Sequence, residues 1–167
     1  MLKNCQPQHR NRAFTIMEVM IVISIIALLS TVILYANIKG ALEKARDSKR
    51  KQDLNKLVRT LEEYYNDFLY FPEPNLDKGT ISDVDWGKPY TQYNITLPKD
   101  PLSPSQDYYY LSDAYNQSYF VIYAKLENKD DGDIILTGCK DGCGPNLAYN
   151  YAVHSSNVQM IEGVPFY

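Results

Sequence analysis

The sequence predicts an α+β protein in which one long N-terminal α-helix, membrane-spanning in its first half and amphipathic in its second, packs on a small antiparallel β-sheet head. Three observations predict it. Residues 19–36 read VMIVISIIALLSTVILYA, eighteen positions without a charge, a proline or a glycine, which is the usual length of a membrane-spanning helix. Further on, Leu54, Leu57, Val58, Leu61, Tyr64, Tyr65 and Phe68 recur in steps of three and four, one face of a helix. Past Pro72 the chain turns to tyrosine-rich runs separated by turn residues, the signature of strands and hairpins.

The segments follow in order. Residues 1–13 hold Lys3, Arg10 and Arg12 and no acid, like the basic start of a secretory signal. Residues 14–38 form the apolar helix, with Glu18 as its one charge. A carboxylate there costs about 2.5–3.5 kcal/mol on insertion scales, so an acid in such a run needs a partner. An ordinary cleaved signal is disfavoured: the apolar run is too long, and it continues into Asn37, Ile38 and Lys39 with no small-residue cleavage site.

Residues 39–71 continue the helix, since no proline stands between Pro7 and Pro72. Its end is expected near Tyr70. The patch at 46–53 carries six charges and reads as a solvated or subunit-facing turn. Residues 72–167 form the head. Its first part is a long loop rich in proline and glycine, with local structure near Trp86. Strands are expected at 108–112, 119–126 and 134–137, joined across 128–133 by a hairpin turn, with Leu111, Phe120, Ile122 and Ile135 in the core. The last thirty residues read as an irregular tail with a cysteine loop.

Charge is unevenly spread. Residues 39–60 hold eight basic and three acidic side chains, whereas residues 61–167 hold six basic and sixteen acidic ones. This argues against a uniformly basic nucleic-acid binder. Cys139 and Cys143 sit in GCKDGCGP. Outside the cytoplasm such a pair favours a small disulfide over free thiols or a metal site. Asp130, Asp131 and Asp133 are weak calcium candidates, because the spacing and the bidentate Glu of a standard loop are missing. His154 has no partner motif, and no nucleophile, phosphate-loop or paired-carboxylate pattern stands out. No metal, cofactor or enzymatic activity is expected.

The segment Ala13-Phe14-Thr15-Ile16-Met17-Glu18-Val19-Met20-Ile21-Val22-Ile23 closely resembles the class III signal of type IV pilins and type II secretion pseudopilins. The resemblance is strong over residues 10–38. Ala13 stands where the family has Gly, and many members carry a helix-bending proline that this chain lacks. Gly40 is its nearest substitute. The resemblance implies cleavage by a prepilin peptidase between Ala13 and Phe14, N-methylation of Phe14, and assembly in which Glu18 meets the Phe14 amine of a neighbouring subunit. The implied partners are copies of itself, other pilin-like subunits, the peptidase, an inner-membrane assembly platform, and membrane lipid before assembly. The implied location is the cytoplasmic membrane with the head outside it, then a filament in the periplasm or beyond the cell. Counting Lys and Arg alone would keep the C-terminal side inside. A peptidase acting on the cytoplasmic side reverses that orientation.

The implied function is a structural subunit of a type IV pilus-like filament, specifically a pseudopilin of a type II secretion-type system. Two alternatives stay open. One is a pilus subunit for adhesion, motility or DNA uptake, and the other is a membrane-anchored binding module that never polymerises. Charge pairing between the basic neck and the acidic head of stacked copies is a further expectation.

Overall fold

A computed structural model describes residues 14–161 and 163–166. The leader, including Cys5, His9 and Ala13, lies outside the described residues. Helix α1, Ile16–Phe68, is continuous and contributes to two compact units that divide after Ala41. In the first unit every described side chain from Phe14 to Ala41 is exposed. Among the described residues, α1 is the helix long and apolar enough to cross a membrane.

The second unit holds the rest of α1 and the head. Short antiparallel pairs come first: β1 (Pro74–Asn75) with β2 (Thr80–Ile81), then β3 (Pro89–Tyr90) with β4 (Ile95–Thr96). The main sheet has three strands in the order β5 (Tyr109–Ser112), β6 (Phe120–Ala124), β7 (Tyr151–His154), all antiparallel. A short helix, α2 (Gly132–Leu136), and the hairpin of β8 (Gln159–Ile161) and β9 (Val164–Phe166) complete it.

The periodic stripe of α1 does what its spacing predicts. Leu54, Leu57, Leu61 and Tyr64 are buried in the main core, and Val58 and Tyr65 pack against it. Phe68 lies at the edge, half exposed. The helix ends two residues before Tyr70, because Leu69 turns left-handed at φ 64°. Phe71 and Pro72 are then tied to the sheet: the Phe71 N–H donates to the Gln117 carbonyl (2.9 Å), and the hydroxyls of Tyr110 and Ser112 donate to the Pro72 carbonyl at 2.8 and 3.0 Å.

Strand β6 is buried at all five positions. Phe120, Ile122 and Ala124 join the α1 core, while Val121 and Tyr123 join a second core with Cys139, Cys143 and Ala152. A strand covered on both faces reads as an unbroken apolar run. The covering layer is the segment expected to be an irregular tail, which instead supplies β7, β8 and β9.

Two further expectations fail together. The segment at 134–137 is not a strand, and 128–133 is not a hairpin turn. Asp131 accepts a hydrogen bond from the Asp133 N–H (3.0 Å) and caps α2. Of the apolar run that follows, Ile134 is buried and Ile135 is exposed, so Ile135 is not a core residue. Leu111 is half buried and packs against the second core.

Candidate assembly site

At the start of α1 the Thr15 hydroxyl accepts the Glu18 N–H (3.2 Å), and the Thr15 carbonyl accepts the Val19 N–H (3.2 Å). This satisfies donors that a helix start otherwise leaves open. It also puts the Glu18 carboxylate in the first turn, where the positive end of the helix dipole favours an anion. Phe14, Glu18, Val19, Val22 and Ile23 line one shallow recess. The polar residues within the apolar run turn inward on their own helix. Ser24, Ser30 and Thr31 donate to the carbonyls of Ile21, Ile26 and Leu28, each at 2.7 Å. Among the described residues from 16 to 33, the outer surface is therefore apolar apart from Glu18. Phe14 and Met17 are 77% and 73% exposed, a state that water penalises by roughly 25 cal/mol per Å². Lipid or neighbouring helices relieve that penalty.

Further along α1, the charged patch is turned into the head on one side: Lys49 stays exposed, while Asp47, Arg50 and Asp53 are covered. Arg50 is fully buried, and Asp47 and Asp53 nearly so. The Arg50 guanidinium donates to both oxygens of Asp100, Nε at 2.8 Å and Nη2 at 3.0 Å. Its Nη1 donates to Asp47 (2.7 Å) and to Glu127 (2.8 Å). Arg46 holds Glu127 from the other side, with Nε to Oε1 at 2.7 Å. Asp47 in turn accepts the N–H groups of Glu127 and Asn128, both at 2.9 Å. Two guanidiniums thus face three carboxylates drawn from α1, the loop at Asp100 and the segment that follows β6. The fork of Arg matches carboxylate geometry, which a lysine cannot do.

The electrostatics follow from these contacts. The hydrogen bond from Arg46, reinforced by Arg50, lowers the Glu127 carboxyl to about 2 against its burial. Burial works against the Arg50 charge, but Asp100, Glu127 and Asp47 outweigh it and raise its pKa. Lys51 donates to Asp131 at 2.7 and 2.8 Å and to Asp133 at 2.6 Å. Burial opposes the Lys51 charge, and these hydrogen bonds still raise its pKa. Lys51 lowers Asp131 in return.

The calcium candidates are thus divided. Asp131 and Asp133 hold Lys51, and Asp130 offers its N–H to Asn128 (3.3 Å). No cluster of three or more His, Cys, Asp or Glu side chains that could hold a metal occurs among the described residues. Cys139 and Cys143 are bridged, with Cα atoms 5.1 Å apart, and both are buried. His154 stands in β7 opposite Val121, its Nδ1 2.9 Å from the Ser155 carbonyl. The five residues that sequence reasoning missed as a cluster are Arg46, Asp47, Arg50, Asp100 and Glu127. Apart from Arg50 with Asp47, three positions apart on one face of α1, their partners lie 50 to 81 positions apart, beyond any local pattern.

Comparison with known proteins bears on the N-terminal segment first. Residues 8–34 match the family described as the prokaryotic N-terminal methylation motif. The chain is also similar to the type II secretion system core protein G of Pectobacterium carotovorum subsp. carotovorum. The two are 30% identical over 102 residues, covering 58% of this chain and 65% of that protein, just under two thirds of its length. No solved structure matches the chain. The resemblance to the type IV pilin-like family, read from residues 10–38, is borne out by these matches.

Proposed function

We propose that this chain, a type IV pilin-like protein by its N-terminal motif, is a structural subunit of a pilus-like filament. The secretion pseudopilin is the kind favoured, because the similar protein is a core component of a type II secretion system. A prepilin peptidase hydrolyses the Ala13–Phe14 bond and methylates the new Phe14 amine. The mature chain, from Phe14 onward, is held in the cytoplasmic membrane by residues 14–38 with its head outside. It is then drawn by an assembly platform into a filament of its own copies and other pilin-like subunits. Its role is structural rather than enzymatic.

The observation that carries this reading is an apolar stretch at the start of α1, exposed at every described position from 14 to 38, whose one charge, Glu18, stands in the first turn beside Phe14. A protonated amine at a helix N-terminus faces the positive end of the dipole, which is unfavourable. The Glu18 carboxylate of an adjacent copy offsets it. In a low-dielectric bundle, an unmatched partner costs several kcal/mol, so the pair also fixes the register of neighbouring copies. The test is Glu18→Ala, assayed by sedimentation of sheared filaments from cells that carry the assembly machinery. Loss of pelleted filament, with the membrane-bound pool retained, is expected. Wild-type yield from the variant contradicts the pairing and favours a non-polymerising anchored module.

A further inference from the structure

Of the eight bases between residues 39 and 60, half are engaged within the chain. Arg46, Arg50 and Lys51 are held by acids of the head, and Lys49 donates to Asp53 (2.6 Å). Lys44, Lys56 and Arg59 are exposed and enter no ion pair among the described residues. They differ in their distance from the apolar segment. Lys44 follows Ile38 by six residues of α1, about 9 Å at helical rise, whereas Lys56 and Arg59 follow at about 27 and 32 Å. A headgroup layer adds about 5–7 Å to the hydrocarbon on each side. A lysine stem can carry its ammonium back toward that layer. With charges screened over about 8 Å at physiological salt, Lys44 is in range of it and the other two are not.

The head brings more lysines to the same level of α1. Lys44, Ser48 and Asn128 line one recess of about 270 Å³, and the Asn128 N–H donates to Asp47 (2.9 Å). Lys129 follows in sequence, and Lys125 and Lys140 share a second recess with it. Lys125 and Lys129 are exposed, and neither enters an ion pair among the described residues. Most acids at this end are engaged: Asp47 and Glu127 with Arg50, Asp131 and Asp133 with Lys51. Glu43 acts on the charge of Arg46. Asp130 and Asp141 are exposed. The other end of the head is acidic. Glu63, Asp67, Glu73 and Asp77 are exposed there, and Lys78 is held by Asp85 (3.2 Å). Glu63 stands about 29 Å from Lys44 along α1. The head is thus electrically polarised along its own part of the helix.

We propose that Lys44, Lys125 and Lys129 form a rim that binds the phosphates of anionic phospholipid headgroups while the chain is still held in the membrane. The apolar segment partitions into any bilayer. The rim adds a preference for anionic lipid, since each ammonium near such a surface is attracted to it. The acidic end of the head is repelled by the same surface, so the polarity of the head also sets which end faces the lipid. The headgroups give a partner to bases that a count of Lys and Arg alone would keep on the inner side. Extraction into a filament then has to break these contacts, which ties release from the membrane to lipid charge. This deepens the anchored-subunit reading and rests on it for the placement of residues 14–38 in lipid.

The test uses the full chain in neutral detergent, titrated with phosphatidylglycerol or with phosphatidylcholine, and native mass spectrometry counts the lipids each chain retains. Wild type is expected to retain phosphatidylglycerol about tenfold more tightly or better at low salt, and to lose that preference at about 0.5 M salt. Lys44→Gln, Lys125→Gln and Lys129→Gln are each expected to weaken it about fivefold. Lys44→Arg keeps the charge and is expected to keep the preference. Lys56→Gln with Arg59→Gln removes two charges beyond reach of a lipid lying along residues 14–38, and is expected to change nothing. Equal retention of the two lipids by wild type overturns the proposal. An equal loss in the Lys56 and Arg59 variant also overturns it, because retention then follows net charge and not the rim. Carbonate extraction of host membranes separates the two readings. A chain that resists extraction but shows no lipid preference keeps its anchor and loses the rim. A chain that shows the preference but is extracted keeps the rim, and the anchored reading fails.

Discussion

Arg50 holds more of the head together than any other charged residue. It is fully buried and shares its donors among Asp47, Asp100 and Glu127. Removing one partner of a buried ionic cluster leaves the others unpaired, which costs about 3–5 kcal/mol. Arg50→Met is therefore expected to lower the denaturant midpoint of the head steeply. Arg50→Lys should recover only part of the loss, because an ammonium cannot bridge Asp100 in bidentate fashion. Equal stability of Arg50→Met and wild type contradicts the assignment. The same cluster sets the response to acid. Glu127 is depressed to about 2 from 4.5, so its contribution is complete above pH 4.5 and is lost as pH falls toward 2. Lys51 is raised from 10.5, so its contribution is present below that pH and is lost above it. A head whose midpoint is flat from pH 6 to pH 2 contradicts the first statement. None of this was legible in the sequence. Glu18 and Phe14 announce themselves within six residues, whereas Arg50 looks like any other member of a charged helical turn until distant carboxylates fold onto it.

Among the elements, α1 was the most legible, because its periodicity of three and four is local and its end is marked by Pro72. Leu57 and Leu61 sit at the centre of its buried stripe. Leu61→Ala is expected to cost about 2–5 kcal/mol through lost burial and the cavity left behind. Thermal unfolding of the full chain in detergent measures this, and a loss below 1 kcal/mol contradicts the packing. The last thirty residues were the least legible. Their strands are short and pair across a long excursion, with β7 joining β6 only after α2 and the disulfide segment. Asp131 carried a usable signal, since an Asp followed by Gly-Asp and an apolar run fits a helix cap as well as a turn. The apolar triplet Ile134-Ile135-Leu136 is too short for periodicity to separate helix from strand. Gly144 marks how tightly this layer fits. At φ 69° its missing Cβ would stand 2.9 Å from the Tyr123 ring. Gly144→Ala is thus expected to cost about 1–3 kcal/mol, read as a lowered denaturant midpoint. An unchanged midpoint shows that the layer can yield.

At the scale of the whole molecule, the uneven charge of the chain has a different meaning from the one its sequence suggests. The basic neck is expected to meet the acidic heads of other copies, and three of its eight bases, Arg46, Arg50 and Lys51, are held instead by acids of their own head. What remains for neighbours is the apolar segment with Glu18, together with Lys39, Lys44, Lys56 and Arg59, which are exposed and enter no ion pair among the described residues. Buried pairs are screened little by salt and exposed ones strongly. Raising salt is therefore expected to leave the unfolding midpoint of the head nearly fixed while loosening the pairing of the basic neck with the heads of neighbouring copies. Parallel loss of both contradicts the division. The central claim is that residues 14–38 are a processed assembly helix, and the mass of the mature N-terminus tests it most directly. Expressed with a prepilin peptidase, the chain is predicted to begin at N-methylated Phe14, and without it to keep the leader. A chain that keeps Met1 in both cases, or is cut near residue 37, contradicts the account.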